Sequence, residues 1–320
     1  MAQMPEDPAA LIARLQRATD ALGRGPSLAP PPPPAPGNHD ITVYRPSDVT
    51  WYSLSASTGW TQGGGIRWGL SGDKPVSADF DGDGKRDRVV FNGADNGRWS
   101  ILYSSANFSY AYAGETHWGM PGDLPVPGDI DGDRKDDFVV FRPSNGTWHV
   151  LLSTEGFATY RTLAWGRQGD VPIVWDFNGD RRADFVVYRP STGEWYIWYA
   201  WSGADKAVSF QWGLPGDVPM PGDYDGDGKS ELTVYRPSTG EWFFRLSTAG
   251  YAHQHNRYLG WGVAGDVPIR GDYDGDGKAD VVIYRPSEGY WYFLYSRSGY
   301  SSWRSFGWGG GATDVAVGGQ

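Results

Sequence analysis

From residue 38 onward, short apolar and aromatic runs alternate with clusters of Gly, Pro, Asp and Ser, and the whole alternation repeats. One unit reads Trp261-Gly262, Gly265-Asp266, Val267-Pro268-Ile269, an acidic stretch from Asp272 to Asp280, Val281-Val282-Ile283-Tyr284, Arg285-Pro286-Ser287, Gly289 and Trp291-Tyr292-Phe293-Leu294-Tyr295. Val, Ile and aromatic side chains suit a pleated, half-buried surface, while the residues between them supply turn dihedrals and stop helices. Each unit therefore predicts four short strands: one before the acidic stretch, one after it, one led by Trp, and an outer one ending at the next Trp-Gly.

The acidic stretch sets the period. Asp79-Phe80-Asp81-Gly82-Asp83-Gly84-Lys85-Arg86-Asp87 has near-copies beginning at Asp129, Asp176, Asp223 and Asp272, at steps of 50, 47, 47 and 49 residues, the mark of a repeat array. Trp-Gly pairs occur at Trp68, Trp118, Trp165, Trp212, Trp261 and Trp308, one more than the acidic loops. The sixth unit is divided: Asp314-Val315-Ala316-Val317-Gly318 supplies a first strand, and Asp40-Ile41-Thr42-Val43-Tyr44-Arg45-Pro46-Ser47 with Trp51-Tyr52 supplies the second and third. The expected fold is all-β, a six-bladed β-propeller of four-stranded blades over residues 38–320, in which residues 312–318 form the innermost strand of a blade otherwise built from residues 40–68. Such closure removes the exposed sheet edges that invite aggregation.

The first residues follow another pattern. Asp7-Pro8 offers an N-cap and a first-turn proline, and Gly23 closes the run, so residues 8–22 predict a short amphipathic helix within a docking segment, 1–24. Leu11, Ile12, Leu15 and Leu22 would lie on one face and dock into a protein partner or a second copy of the chain. A Pro-rich linker, 25–37, with Pro30 to Pro34 in a row, would hold an extended spacer. The segment lacks the apolar run of a transmembrane span or a secretory signal.

Composition narrows the function. The chain has no cysteine, which excludes disulfides and thiolate metal sites. Its formal net charge of −10 weighs against nucleic acid, which needs a basic footprint. Much of the acidity lies in the repeated loops, and five divalent cations would balance it. The alternation Asp-x-Asp-x-Asp places carboxylates at loop positions 1, 3 and 5, a backbone carbonyl can serve at 7, and a further carboxylate follows at 9. Hard cations with many oxygen ligands require this arrangement, and calcium, tolerant of six to eight oxygens, is the economical choice. The alternative is a set of solvated acidic turns selected for hairpin geometry. The copies differ: position 6 is Gly84, Gly228 and Gly277 in loops 1, 4 and 5 but Arg134 and Arg181 in loops 2 and 3, Asn178 replaces Asp in loop 3, and loop 4 ends in Glu231. With one charge fewer, loop 3 is expected to bind most weakly.

At these residues the chain resembles the FG-GAP or VCBS repeat family, the calcium-loop propellers that include the integrin α-chain headpiece and many bacterial surface and secreted proteins. Gly222-Asp223-Tyr224-Asp225-Gly226-Asp227-Gly228-Lys229, followed by Tyr235-Arg236-Pro237-Ser238, is similar to the bacterial members. The resemblance implies about five structural calcium ions at the turn between the first and second strands, with ligand recognition on blade faces. It implies as ligands Asp79, Asp81, Asp83, the Lys85 carbonyl and Asp87 in loop 1, and Asp129, Asp131, Asp133, Lys135 and Asp137 in loop 2. Loop 3 would use Asp176, Asn178, Asp180, Arg182 and Asp184, loop 4 Asp223, Asp225, Asp227, Lys229 and Glu231, and loop 5 Asp272, Asp274, Asp276, Lys278 and Asp280. It also implies an extracellular or cell-envelope location.

No Gly-x-Ser-x-Gly elbow, phosphate loop or histidine-rich cluster is present, and His39, His117, His149, His253 and His255 hold different places in their units, so the expectation is a protein that is not an enzyme. The repeated tryptophans, Trp148, Trp195, Trp242 and Trp291 among them, read as packing between blades. Trp198, Tyr199, Trp201, Tyr300 and Trp303 depart from the repeat and are candidates for binding a glycan or protein, or for filling grooves between blades. The expected role is recognition or adhesion, and the alternative is a scaffold subunit docked through the N-terminal helix.

Overall fold

The computed structural model describes residues 39–200, 207–253, 256–311 and 313–318. The proposed docking helix with Leu11, Ile12, Leu15 and Leu22, the Pro-rich linker, Trp201 and His255 lie outside the described residues. Six four-stranded antiparallel sheets follow one another around a propeller. Blade 1 is composite: Val315–Val317 pairs with Ile41–Arg45, which pairs with Thr50–Leu54, which pairs with Gly63–Arg67. The register sets Thr42 opposite Val317 and Tyr44 opposite Val315, so the two halves of the chain close the ring as the sequence predicts. Blades 2 to 6 each run in chain order, beginning at Lys74, Leu124, Val171, Val218 and Val267. The first strand of blade 1 touches those of blades 2 and 6, which places the first strands innermost. Among the described residues no helix is long and apolar enough to cross a membrane.

The second strand of each blade is buried along nearly its whole length, as in Phe138–Arg142 and Val281–Arg285, because both its faces meet neighbouring blades. The third strand carries a tryptophan at its head. Trp51, Trp99, Trp148, Trp195, Trp242 and Trp291 are at most 1% exposed. Each indole N–H donates to the carbonyl of the Trp-Gly tryptophan of its own blade, at 2.6 to 3.1 Å. The Trp-Gly tryptophans in turn donate across to the third strand of the next blade: Trp68 to Ser100, Trp118 to His149, Trp165 to Tyr196, Trp212 to Phe243 and Trp261 to Tyr292. Trp308 completes the series by donating to the Tyr52 carbonyl at 3.1 Å, from blade 6 into blade 1. The polar handle of each indole is thus satisfied while its ring fills the seam.

A second repeating device is an ion pair. The aspartate of each Gly-Asp turn accepts a backbone N–H three residues earlier and a forked bond from the arginine of the Arg-Pro-Ser turn, as in Asp170 with Arg189 at 2.8 and 2.9 Å. Asp123–Arg142, Asp217–Arg236 and Asp266–Arg285 repeat it. In blade 2, Asn92 stands in the arginine's place, and Asn92 and Arg98 share Asp73. In blade 1 the pair is Arg45 with Asp314, at 2.8 and 2.9 Å, joining residues 269 apart.

Candidate metal centres

The acidic loops fold around their own carboxylates. The position-1 aspartate accepts the N–H groups of positions 4 and 6: Asp79 takes Gly82 and Gly84 at 2.6 and 2.9 Å, and Asp129, Asp176, Asp223 and Asp272 repeat the pair. This curl requires position 6 in the left-handed region. Gly84, Gly228 and Gly277 adopt it at φ of 80°, 83° and 89°, and Arg134 and Arg181 are held there at 74° and 66°. The position-5 carboxylates Asp83, Asp133, Asp180, Asp227 and Asp276 accept the N–H of Lys85, Lys135, Arg182, Lys229 and Lys278 and close the turn.

Position 9 ties the loop to the blade. One oxygen of Asp87 accepts Phe80 N–H at 2.9 Å and the other accepts Ser104 N–H at 2.8 Å. Asp137, Asp184, Glu231 and Asp280 make the same two bonds, the second to Ser153, Ala200, Ser247 and Ser296. All five are buried, and burial pushes each carboxyl up to about 7 in the absence of a cation. Asp274 is pushed up to about 6 for the same reason, and Asp79, Asp129, Asp176 and Asp223 are also raised by burial.

Carboxylate oxygens converge to within 4.8 Å in four loops: Asp79, Asp81 and Asp87; Asp129, Asp131 and Asp137; Asp223, Asp225, Asp227 and Glu231; and Asp272, Asp274 and Asp276. Two charges that close repel by about 3 to 4 kcal/mol at an effective dielectric near 20. Asp131 and Asp225 each keep one buried oxygen, Oδ1, without a hydrogen-bond partner. An oxygen-preferring cation fits this donor set, since it would satisfy the orphaned oxygens and offset the repulsion. In loop 3 the Asn178 amide instead donates to Asp180 and Asp184 at 3.2 and 3.4 Å, so an N–H group stands among the carboxylates.

Successive loops are bonded to each other. The position-8 N–H of Asp136, Ala183, Ser230 and Ala279 donates to the position-1 carbonyl of the preceding loop, at 2.7 to 2.9 Å. Each position-7 side chain also lies over the position-4 glycine of the preceding loop: a Cβ at Gly226 would stand 2.5 Å from Lys278 Cε. The five loops therefore form one arc along a rim of the propeller.

The aromatic candidates divide. Trp198 packs against Trp165 of the preceding blade with ring centroids 5.3 Å apart, and Trp303 packs against Trp261 at 6.2 Å. Tyr110, Tyr160 and His253 cover Trp68, Trp118 and Trp212 in the same way. Tyr199 packs into the core shared by blades 4 and 5, and the Tyr300 hydroxyl donates to the carbonyls of Tyr224 and Ala279. Tyr300 also walls a cavity of about 300 Å³ with Tyr224, Phe244 and Tyr258. Tyr110, Tyr112, Tyr160, Tyr258, Tyr290 and Trp303 remain exposed on the outside. The sequence reading missed the Asp–Arg pairs, although their constant 19-residue separation was a signal for them.

The chain matches no protein-family model, and no curated protein matches it. Solved structures do. Virginiamycin B lyase from Staphylococcus aureus superposes with a TM-score of 0.52 at 8% identity, covering 85% of this chain and 84% of the lyase. A streptogramin B lyase gives 0.51 at 9% identity over 88% and 86%. A lectin from Agrocybe aegerita that recognises non-reducing terminal N-acetylglucosamine gives 0.52 at 17% identity over 85% and 76%. These likenesses show the propeller fold. They also correct the expectation that the chain is not an enzyme, because the fold it shares is one on which lyases are built. That expectation rested on missing linear motifs, whereas a propeller can bring catalytic groups together from loops of separate blades.

Proposed function

We propose that this chain is a calcium-stabilised propeller of the FG-GAP or VCBS kind that acts as a recognition module, for glycan or protein, outside the cell or in its envelope. The observation that carries the calcium reading is the convergence of carboxylate oxygens to within 4.8 Å in four of the loops, with Asp131 and Asp225 each keeping one buried oxygen without a hydrogen-bond partner. Calcium supplies the offsetting charge and accepts the flexible oxygen geometry of the loops, and the millimolar calcium outside cells suits modest sites of this kind. Recognition is supported by the exposed aromatics on the outer surface, which offer flat apolar faces with polar edges.

One site at a hundredfold excess of ion over its Kd contributes about 2.7 kcal/mol to the folded state. Adding millimolar calcium to chelated protein should therefore raise the melting temperature by roughly 5 to 10 °C for each such site that fills. The calcium-loaded chain, presented to arrays of glycans and of surface proteins, should bind a definable set. An unchanged melt refutes the calcium reading, and the absence of any bound glycan or protein refutes the recognition reading.

A further inference from the structure

Two tyrosines tie neighbouring acidic loops together. Each follows the turn between the third and fourth strands of its blade, at a left-handed φ of 56° for Tyr251 and 62° for Tyr300, and its N–H donates to a carbonyl at the end of the third strand, that of Leu246 or Tyr295. The Tyr251 hydroxyl is shared between the carbonyl of Phe177, position 2 of loop 3, at 3.3 Å and that of Ser230, position 8 of loop 4, at 2.7 Å. The Tyr300 hydroxyl is shared in the same way between Tyr224, position 2 of loop 4, at 3.0 Å and Ala279, position 8 of loop 5, at 2.9 Å. Blade 3 has Phe157 in this place, at a φ of 58° and with the same backbone bond, and its ring packs on Phe138.

Position 2 stands between the carboxylates of positions 1 and 3, and position 8 precedes the carboxylate of position 9. Each hydroxyl therefore fixes two backbone points that flank the ligands proposed for two different ions. Other bonds run along the same seams: Ser230 N–H donates to the Asp176 carbonyl at 2.9 Å, Ala279 N–H to the Asp223 carbonyl at 2.7 Å, and Lys278 Nζ to the Asp225 carbonyl at 3.0 Å. Loop 4 is thus held from both sides, by Tyr251 towards loop 3 and by Tyr300 towards loop 5. It is also the loop in which four carboxylates, those of Asp223, Asp225, Asp227 and Glu231, converge.

Carboxylates that repel one another loosen an empty loop, and filling it fixes the backbone at positions 2 and 8. A neighbour bonded to those points then has less disorder to lose when it fills, which is positive coupling between sites. By linkage the effect is the same in both directions. We infer that loops 3, 4 and 5 take up calcium as a coupled set centred on loop 4, with the Tyr251 hydroxyl carrying the coupling to loop 3 and the Tyr300 hydroxyl carrying it to loop 5. This rests on the calcium reading and adds its regulation: the side of the propeller built from blades 4 to 6 responds to calcium over a narrower range than separate sites would.

Hydrogen exchange of the full chain over a calcium titration, read on peptides covering residues 79–87, 176–184, 223–231 and 272–280, gives each loop its own midpoint. Emptying loop 4 with Asp225→Asn and Asp227→Asn together should move the midpoints of loops 3 and 5 to at least about five-fold higher calcium, and leave that of loop 1, at the other end of the arc, within about two-fold. Tyr251→Phe should make loop 3 indifferent to loop 4 while loop 5 still responds, and Tyr300→Phe should do the reverse. Phe157 shows that the place accepts a phenylalanine, and loop 1 reports any general loss of stability in the same samples. Loops 3 and 5 that keep their midpoints when loop 4 is emptied, an equal shift of loop 1, or responses undiminished in Tyr251→Phe and Tyr300→Phe overturn the inference and leave the calcium reading standing. Protection that depends on calcium in no loop refutes the calcium reading itself, and the coupling with it.

Discussion

Removing the Arg45–Asp314 pair should show how the ring is closed. Asp314 is fully buried at its side chain and Arg45 is 28% exposed, so Asp314→Ala leaves a guanidinium that water can still reach. It also frees the Gly311 N–H that Asp314 accepts at 3.0 Å. Breaking a fully buried pair from one side costs about 3 to 5 kcal/mol, and the partial exposure of Arg45 reduces this to about 2 to 3. For a domain of this size the melting temperature should fall by roughly 4 to 9 °C. The loss should concentrate at the strand Val315–Val317, whose hold on blade 1 is a three-residue register. Hydrogen exchange should therefore quicken there and in Ile41–Arg45 well before it quickens in blade 4, whereas Asp170→Ala, which removes the equivalent pair inside a continuous blade, should give no such local opening. A double-mutant cycle with Arg45→Met should return a coupling of at least about 1 kcal/mol. Zero coupling, or protection of Val315–Val317 equal to the parent's, refutes closure by this pair.

Further outcomes follow from the loops. In chelator the position-9 carboxyls, raised from the usual acid range to about 7, favour the folded state when neutral; that contribution is present at low pH and lost as pH rises through 7, so the calcium-free chain should melt higher at pH 6 than at pH 8. Excess calcium should reverse the order, and calorimetry at both pH values reads it directly. Asn178→Asp should raise the calcium affinity of loop 3 about ten-fold by titration, because it restores a charge and removes the amide donor beside Asp180 and Asp184. Arg134→Gly should relieve a left-handed backbone worth about 1 kcal/mol and raise the melting temperature by a few degrees; a lower one would show that the Arg134 side chain matters more than its φ of 74°.

Blade number, strand order and closure were legible because turn chemistry is local and recurs: Asp-Gly and Trp-Gly mark the same bends in every unit, and the divided unit betrayed itself by its two complementary halves. The repeated loop was legible from its spacing, but which carboxylates converge was not: Asp83, Asp133 and Asp280 stand outside the clusters that their loops form. Long-range partners were not legible either. Asp123 and Arg142 each recur visibly, yet only the register across two strands brings them into a fork. Trp198 and Trp303 look singular in an alignment because they enter from different strand positions, but both cover the preceding blade's Trp-Gly tryptophan, the same place that Tyr160 reaches.

The most direct test of the account is anomalous diffraction from crystals grown in calcium, or with a heavier lanthanide in its place, counting ions at named loops. The account predicts an ion among Asp79, Asp81 and Asp87, among Asp129, Asp131 and Asp137, among Asp223, Asp225, Asp227 and Glu231, and among Asp272, Asp274 and Asp276, with the weakest peak or none beside Asn178. Ions absent from the Glu231 loop, where four carboxylates converge, or strongest beside Asn178, would contradict it.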